Sequence, residues 1–586
     1  MSKAKSNATL TGPHYRVEVA DLNSHRFAVT LTLATPAAAQ RVSLPVWIPG
    51  SYLVREFAKN LQCLTAKQGA KTLPALQQDK HSWLVHCDPT QSLVIQYEVY
   101  AFDSSVRTAW LDSARGFFNG TSLCLRVDGQ EGLEHRLELV SAPAIAHWSV
   151  ATGATPLKVT KNGFGTYRAA HYDELADCPV EMGTFWSGSF TACGVPHQFV
   201  VAGALPSFDG ARLLADTKKI CEAEIRFWHG SGKPPHTRYV FMLNAVDDGY
   251  GGLEHCNSTA LIATRRDLPR LGDAKTSEGY GTLLGLISHE YFHTWNVKRL
   301  RPAELATYDY DHENYTELLW FFEGFTSYYD DLLLRRAGLL DDAGYFKLLT
   351  KTFNQVDQAP GRLVQTVAQA SFDAWVKYYR QDENTPNATI SYYTKGALVA
   401  LCFDLTLRAE GKTTLDDVMR ALWNRCHGGP MAQADFAAVL QELGGRSYAK
   451  EIAAWIHSTR ELPVKKLLAQ HGVDMVSEPA QMAQRLGVRV ADTQSSVQIK
   501  AVLRGGPAEQ AGFSAGDEWL GVEVGTGSKA QAWRLNKLDE LQMLVGKATK
   551  VNALVARDKR LLRLELGVPT SASTQRITCT DKEGIR

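Results

Sequence analysis

The sequence predicts a multidomain α+β protein, and three observations carry that prediction. The first third alternates apolar and polar residues between Gly, Pro, Asn and Asp clusters, the middle has long stretches of helical periodicity, and the C-terminal part returns to short strands separated by glycine turns. A chain of 586 residues has room for three or so domains. The pattern divides into an N-terminal β-sandwich-like domain over residues 1–183, a mixed domain over 184–472, a small module over 473–570 and a polar tail over 571–586.

Composition narrows the function classes. The chain has 63 Lys and Arg against 62 Asp and Glu, a net charge of +1, which offers no basic face to nucleic acid or to an anionic membrane. No apolar run approaches the ~20 residues needed to span a bilayer. The polar stretch from Met1 to Pro13 lacks the apolar core of a secretory signal. Ten cysteines without a C-x-x-C pair argue against a cysteine metal site, and reduced thiols in a cytoplasm are expected.

In the first third, residues 16–19, 27–35 and 93–102 read as strands. Trp47-Ile48-Pro49-Gly50-Ser51-Tyr52 is a turn flanked by aromatics, and the residues alone suggest a packed corner. Near Glu181-Met182-Gly183 the pattern changes. Residues 209–228 have helical periodicity, residues 230–235 break it, and residues 238–244 read as an apolar strand. Asp247-Asp248-Gly249-Tyr250-Gly251-Gly252-Leu253-Glu254-His255 then forms a turn running into another strand. Gly251 and Gly252 suit a tight turn or bulge, and they would also let a substrate backbone approach the strand edge.

The chemistry centres on Ser288-His289-Glu290-Tyr291-Phe292-His293. On a helix, His289 and His293 stand one turn apart and direct both imidazoles toward one point, where a metal can sit. Glu290 lies about 100° around the helix, able to reach a water there without being a ligand. A catalytic zinc takes three protein ligands and one water. The candidate third ligand is Glu323, isolated among Trp320, Phe321, Phe322 and Phe325, where an unpaired carboxylate would be costly to bury. Residues 315–330 read as its helix, with Glu317 as a competitor explained by the positive helix start.

Residues 289–302 together with Trp320-Phe321-Phe322-Glu323-Gly324 resemble the glycyl aminopeptidase family of gluzincin metallopeptidases, which implies a thermolysin-like catalytic domain over 184–472. The resemblance implies one Zn2+ per chain held by His289, His293 and Glu323, with Glu290 as general base. It also implies that the N-terminal domain covers one side of the cleft. Gly251-Gly252-Leu253-Glu254-His255 looks like the segment that binds the substrate's free amine, except that His255 replaces the Asn of the larger aminopeptidase group. Ser391-Tyr392-Tyr393-Thr394-Lys395-Gly396 resembles the segment carrying the transition-state tyrosine, and Tyr393 aligns with it. A tyrosine in an apolar helical wall is otherwise a core residue. Leu486-Gly487-Val488 through Gly516-Asp517-Glu518-Trp519 looks like a PDZ domain of the bacterial type, which would take an extended chain end.

The expected function is therefore a zinc-dependent aminopeptidase acting on peptide substrates, the family implying small first residues, Gly or Ala. The alternatives are a PDZ-assisted zinc endopeptidase and a non-catalytic peptide-binding protein on a metallopeptidase scaffold. Neither nucleic acid nor membrane is an expected partner, and the role of the basic run Lys298, Arg299, Arg301 is open.

Overall fold

A computed structural model describes residues 12–570 and 572–579; most of the polar N-terminal segment and residues 580–586 lie outside them. The chain forms two compact units. The first comprises Met1–Asn314 with two short pieces, Arg336–Leu339 and Gly428–Pro430; the second comprises Tyr315–Arg335, Leu340–His427 and Met431–Arg586.

The first unit opens with the expected β structure. Strands such as His14–Asp21, Arg26–Leu33 and Leu93–Tyr100 belong to an eight-stranded sheet, and two four-stranded sheets accompany it. Alternation sends Val17, Phe27, Val29, Leu31 and Ile95 into a shared core. Leu253 and Ala260 also enter that core.

The rest of the unit is a five-stranded sheet, ordered β1 (Trp186–Ala192), β2 (Val195–Ala202), β3 (Tyr239–Val246), β5 (Ser258–Thr264) and β4 (Gly251–Glu254), so that β4 is a sheet edge. Helix α1 (Gly210–His229) starts at Asp209, whose carboxylate accepts the Arg212 amide. Helix α2 (Glu278–Phe292) starts at Ser277, whose hydroxyl accepts the Tyr280 amide.

The second unit is helical and then β. The single helix expected over 315–330 is instead two: α3 (Leu319–Phe322) and α4 (Gly324–Arg336). The Thr316 hydroxyl accepts the Leu318 amide at 3.2 Å, a local bond that competes with helix before residue 319. Glu317 is exposed in the irregular segment just before α3. Helix α5 (Tyr392–Glu410) is capped by Ser391 and ends at Gly411 in the left-handed conformation.

The C-terminal module is a six-stranded sheet with Val488–Asp492 at one edge and Arg560–Gly567 at the other, closed over Leu486, Ile499, Trp519, Val522 and Val555. Asp517, fully buried, pairs with Arg557 at 2.7 Å and accepts the Ser514 amide at 2.8 Å, so it secures a turn. The expected polar tail is in part a strand. Ser573–Cys579 pairs antiparallel with Val473–Pro479 because Ile577 alternates with polar neighbours and buries its side chain, while the Asn354 side-chain oxygen accepts the Gln575 amide at 3.0 Å. No helix among the described residues is long and apolar enough to cross a membrane.

Candidate active site

Helix α2 presents the two histidines because its other faces are fully engaged. Leu283, Leu284, Leu286 and Ile287 are buried, and Ser288 donates to the Glu224 carboxylate of α1 at 3.0 Å. Tyr291 is anchored by two buried imidazoles, His197 Nε2 at 2.9 Å and His236 Nε2 at 3.3 Å. His197 Nδ1 lies 2.9 Å from the Val195 carbonyl, which fixes a proton there and leaves Nε2 to accept from the tyrosine. Burial lowers the proton affinity of both imidazoles, His197 to a pKa of about 4 and His236 to about 2. Beyond burial, the charges of His197, Arg299 and His229 lower His236 further, whereas the bond to the Val195 carbonyl raises His197.

His289 is half-buried, and His293, the residue that ends α2, is buried. His293 Nδ1 lies 2.8 Å from the Asn296 carbonyl, so its proton sits on Nδ1 and the Nε2 lone pair is left facing inward. The two Nε2 atoms are 3.1 Å apart, with the rings edge to face at 4.6 Å. Nitrogen lone pairs at that separation repel unless a proton or a cation lies between them. Donor atoms of Glu254, Glu290 and His293 also lie within 4.8 Å of one another, so two buried carboxylates share the place with an imidazole. This donor set suits a divalent metal.

Strand β4 supplies the wall opposite α2. A Cβ on Gly252 would stand 2.0 Å from Glu290 Oε1, so the room at this glycine is filled by the Glu290 carboxylate. The Gly252 carbonyl accepts from Arg107 Nη2 at 3.0 Å. A Cβ on Gly251, at φ 153°, would meet Arg107 Nη1 at 3.8 Å and Ile262 Cγ2 at 3.9 Å, ordinary contact distances. Glu254 is buried, and its Oε1 accepts no hydrogen bond among the described residues. Its carboxylate rests on Gly50, at φ 92°, where a Cβ would meet Oε1 at 2.4 Å.

In the second unit, Glu323 lies between α3 and α4, with its amide on the Leu319 carbonyl at 2.8 Å and its side chain buried. Next to it, Gly324 meets Gly396 of α5: a Cβ on Gly324 would be 2.5 Å from the Gly396 Cα. Two helices cross there with their backbones in contact. The crossing brings Tyr393, in the first turn of α5, into the field of Glu323. Burial first, then the Glu323 charge, raises the Tyr393 phenol well above its ordinary pKa. Tyr378, Tyr392 and Tyr393 stack at 4.8 to 5.4 Å and fix the ring.

A family profile described as M61 glycyl aminopeptidase matches residues 282–399, and one described as the peptidase M61 N-terminal domain matches residues 14–184. A crystal structure of an aminopeptidase N family protein from Idiomarina loihiensis is 34% identical, covering 98% of this chain and 99% of that one with a TM-score of 0.93. The chain belongs to the M61 glycyl aminopeptidase family. It is a metallopeptidase. An M1 zinc metallopeptidase from Deinococcus radiodurans is 14% identical, covering 78% of this chain and 95% of that one with a TM-score of 0.49. No curated protein matches.

Two residues of this M61 chain, Arg107 and Gly50, join the site without having been expected from the sequence. Both act across the fold, Arg107 on a carbonyl 145 residues away. The Trp47 to Tyr52 turn was a usable signal for Gly50, since a glycine inside an aromatic turn often marks a close approach.

Proposed function

We propose that this metallopeptidase is a zinc-dependent aminopeptidase that removes small residues, Gly or Ala, from free peptide N-termini. His289, His293 and Glu323 hold one Zn2+; two imidazoles and a carboxylate form a donor set able to bind a metal ion. When bound, zinc supplies Lewis acidity, which lowers the pKa of a water and polarises a carbonyl. Glu290 is the general base, pressed into place by Gly252. As the water adds to the scissile carbonyl carbon, Glu290 takes its proton and returns it to the leaving nitrogen when the C–N bond breaks. The Tyr393 hydroxyl donates to the carbonyl oxygen as that atom gains charge, a contribution commonly worth ~3 kcal/mol per donor.

The observation that carries the choice of aminopeptidase is the second buried carboxylate, Glu254, beside Glu290 and His293. A catalytic base needs one carboxylate; the other suits the substrate's ammonium, and the edge strand beside it can pair with the first residues at Gly251. An internal peptide segment offers no cation to Glu254 and would leave it buried without a counter-charge. The C-terminal module is a PDZ-like binder of extended chain ends, on the support of its small sheet with short helices. The catalytic part is thermolysin-like, and the ten free cysteines suit the cytoplasm.

Mass spectrometry of digests of free and N-acetylated Gly- or Ala-leading peptides tests the reading. Stepwise release from the free peptides, nearly stopped by acetylation, is expected. Internal cuts at comparable rates in both would defeat it.

A further inference from the structure

The chemistry above uses neither the basic residue Lys298 nor His255, which follows the amine-binding Glu254. Asp177 joins them. It ends the short helix Tyr172–Ala176 of the N-terminal β region and makes a 2.6 Å ion pair with the buried Lys298 ammonium. Its carboxylate lies 3.1 Å from His255 Nδ1 and accepts the Cys256 amide at 2.8 Å. The Lys298 amide in turn donates to the His293 carbonyl at 3.0 Å. One carboxylate thus ties the end of the strand carrying Glu254 to the loop leaving α2.

The charges explain why this matters. Lys298 and Glu254 line one small cavity of about 10 Å³, together with Gly50 and Tyr308. Burial works against the Lys298 ammonium, but the charges around it, Asp177 first and Glu254 among the rest, hold its proton more tightly than usual. A buried cation draws the nearest available carboxylate into a pair. With Asp177 in place, Lys298 has a partner at 2.6 Å. With that charge removed, Glu254 is the carboxylate left on the cavity wall, and a Glu254 engaged by Lys298 is no longer free for an incoming ammonium.

We propose that Asp177 is a positioning residue for recognition of the peptide N-terminus: by neutralising Lys298 it reserves the Glu254 carboxylate for the substrate. The inference rests on the reading of Glu254 given under Proposed function.

The test is steady-state kinetics on a Gly- or Ala-leading peptide with Asp177→Asn, Lys298→Met, the double variant and Glu254→Ala, each checked for folding by thermal melting. The side-chain amide in Asp177→Asn keeps an oxygen for the Cys256 amide, while the charge and the acceptor facing Lys298 and His255 are lost together. Asp177→Asn is expected to raise KM about tenfold or more while kcat stays within about twofold. The double variant, which removes the competing cation as well, should return KM to within about threefold of the parent, and Lys298→Met alone should stay in that range. A purely structural role for the ion pair would leave the double variant as impaired as the single one, and that result overturns the proposal. So does an unchanged KM in Asp177→Asn alongside a raised KM in Glu254→Ala. An unchanged KM in Glu254→Ala instead removes the reading of Glu254 itself. Should Asp177→Asn fail to fold, Lys298→Met decides: KM close to the parent supports the proposal, and a rise of about tenfold in folded protein overturns it.

Discussion

The Glu290 carboxylate rests on the Cα of Gly252, so close that a methyl group there would stand 2.0 Å from Oε1. An edge strand and helix α2 are thereby fitted to one another at a residue with no side chain. Gly252→Ala should push the base out of place and lower kcat by about 100-fold, with metal content unchanged. Metal analysis alongside turnover checks both halves of that statement. Glu290→Gln should likewise retain metal and fold while turnover is lost.

Tyr393→Phe should lower kcat by about 100-fold with little change in KM, because a hydroxyl that acts on the developing oxyanion contributes mainly in the transition state. Normal kcat in this variant would place the donor elsewhere, and Tyr392, stacked on it at 4.8 Å, would become the next candidate.

Metal content should be about one zinc per chain and should fall sharply in His293→Ala and in Glu323→Ala. Affinity should weaken on acidification as the imidazoles take up protons. Full occupancy in either variant would exclude that residue as a ligand.

Acid should loosen the seating of α2. His197 and His236 stay neutral in the fold down to about 4 and about 2, against 6.5 for an ordinary histidine. The unfolded chain therefore binds more protons below 6.5, so the stabilisation is complete above that pH and is lost as pH falls, toward about 4 for His197 and further for His236. Each pH unit in that window costs roughly 1.4 kcal/mol per histidine at most. Denaturant midpoints measured between neutral pH and pH ~4.5 should fall, and His197→Gln should make the fall shallower. A midpoint independent of pH over that range would show that the imidazoles do not stay neutral.

The parts of the site that depend on local periodicity were legible in the sequence. The spacing of His289 and His293 reads directly as one helix turn, and Glu323 stands out because a lone carboxylate among four aromatic side chains needs a cation. What depends on contacts between distant segments was not. Arg107 gives no local sign that it holds the Gly252 carbonyl, and Asp177 none that it holds Lys298. The helix break before Leu319 was hidden because Thr316 follows helical spacing while its hydroxyl bonds the Leu318 amide. The strand Ser573–Cys579 was read as a tail because only Ile577 is buried in it, and its partner lies about a hundred residues earlier.

That last pairing has a consequence for how the chain is put together. The C-terminal sheet begins after Pro479 and ends before Ser573, two residues that face each other across one antiparallel ladder, and the Ala480 amide donates to the Ala572 carbonyl at 3.0 Å. The polypeptide thus leaves the helical unit and comes back to it through a single doorway. Joining the two strands by a tight turn would turn the doorway into an ordinary hairpin and leave its contacts with Asn354 in place, at the loss of the bonds Asn387 makes to Val502 and Arg504. A deletion that stops at residue 477 instead tears out one side of the frame and strands the other.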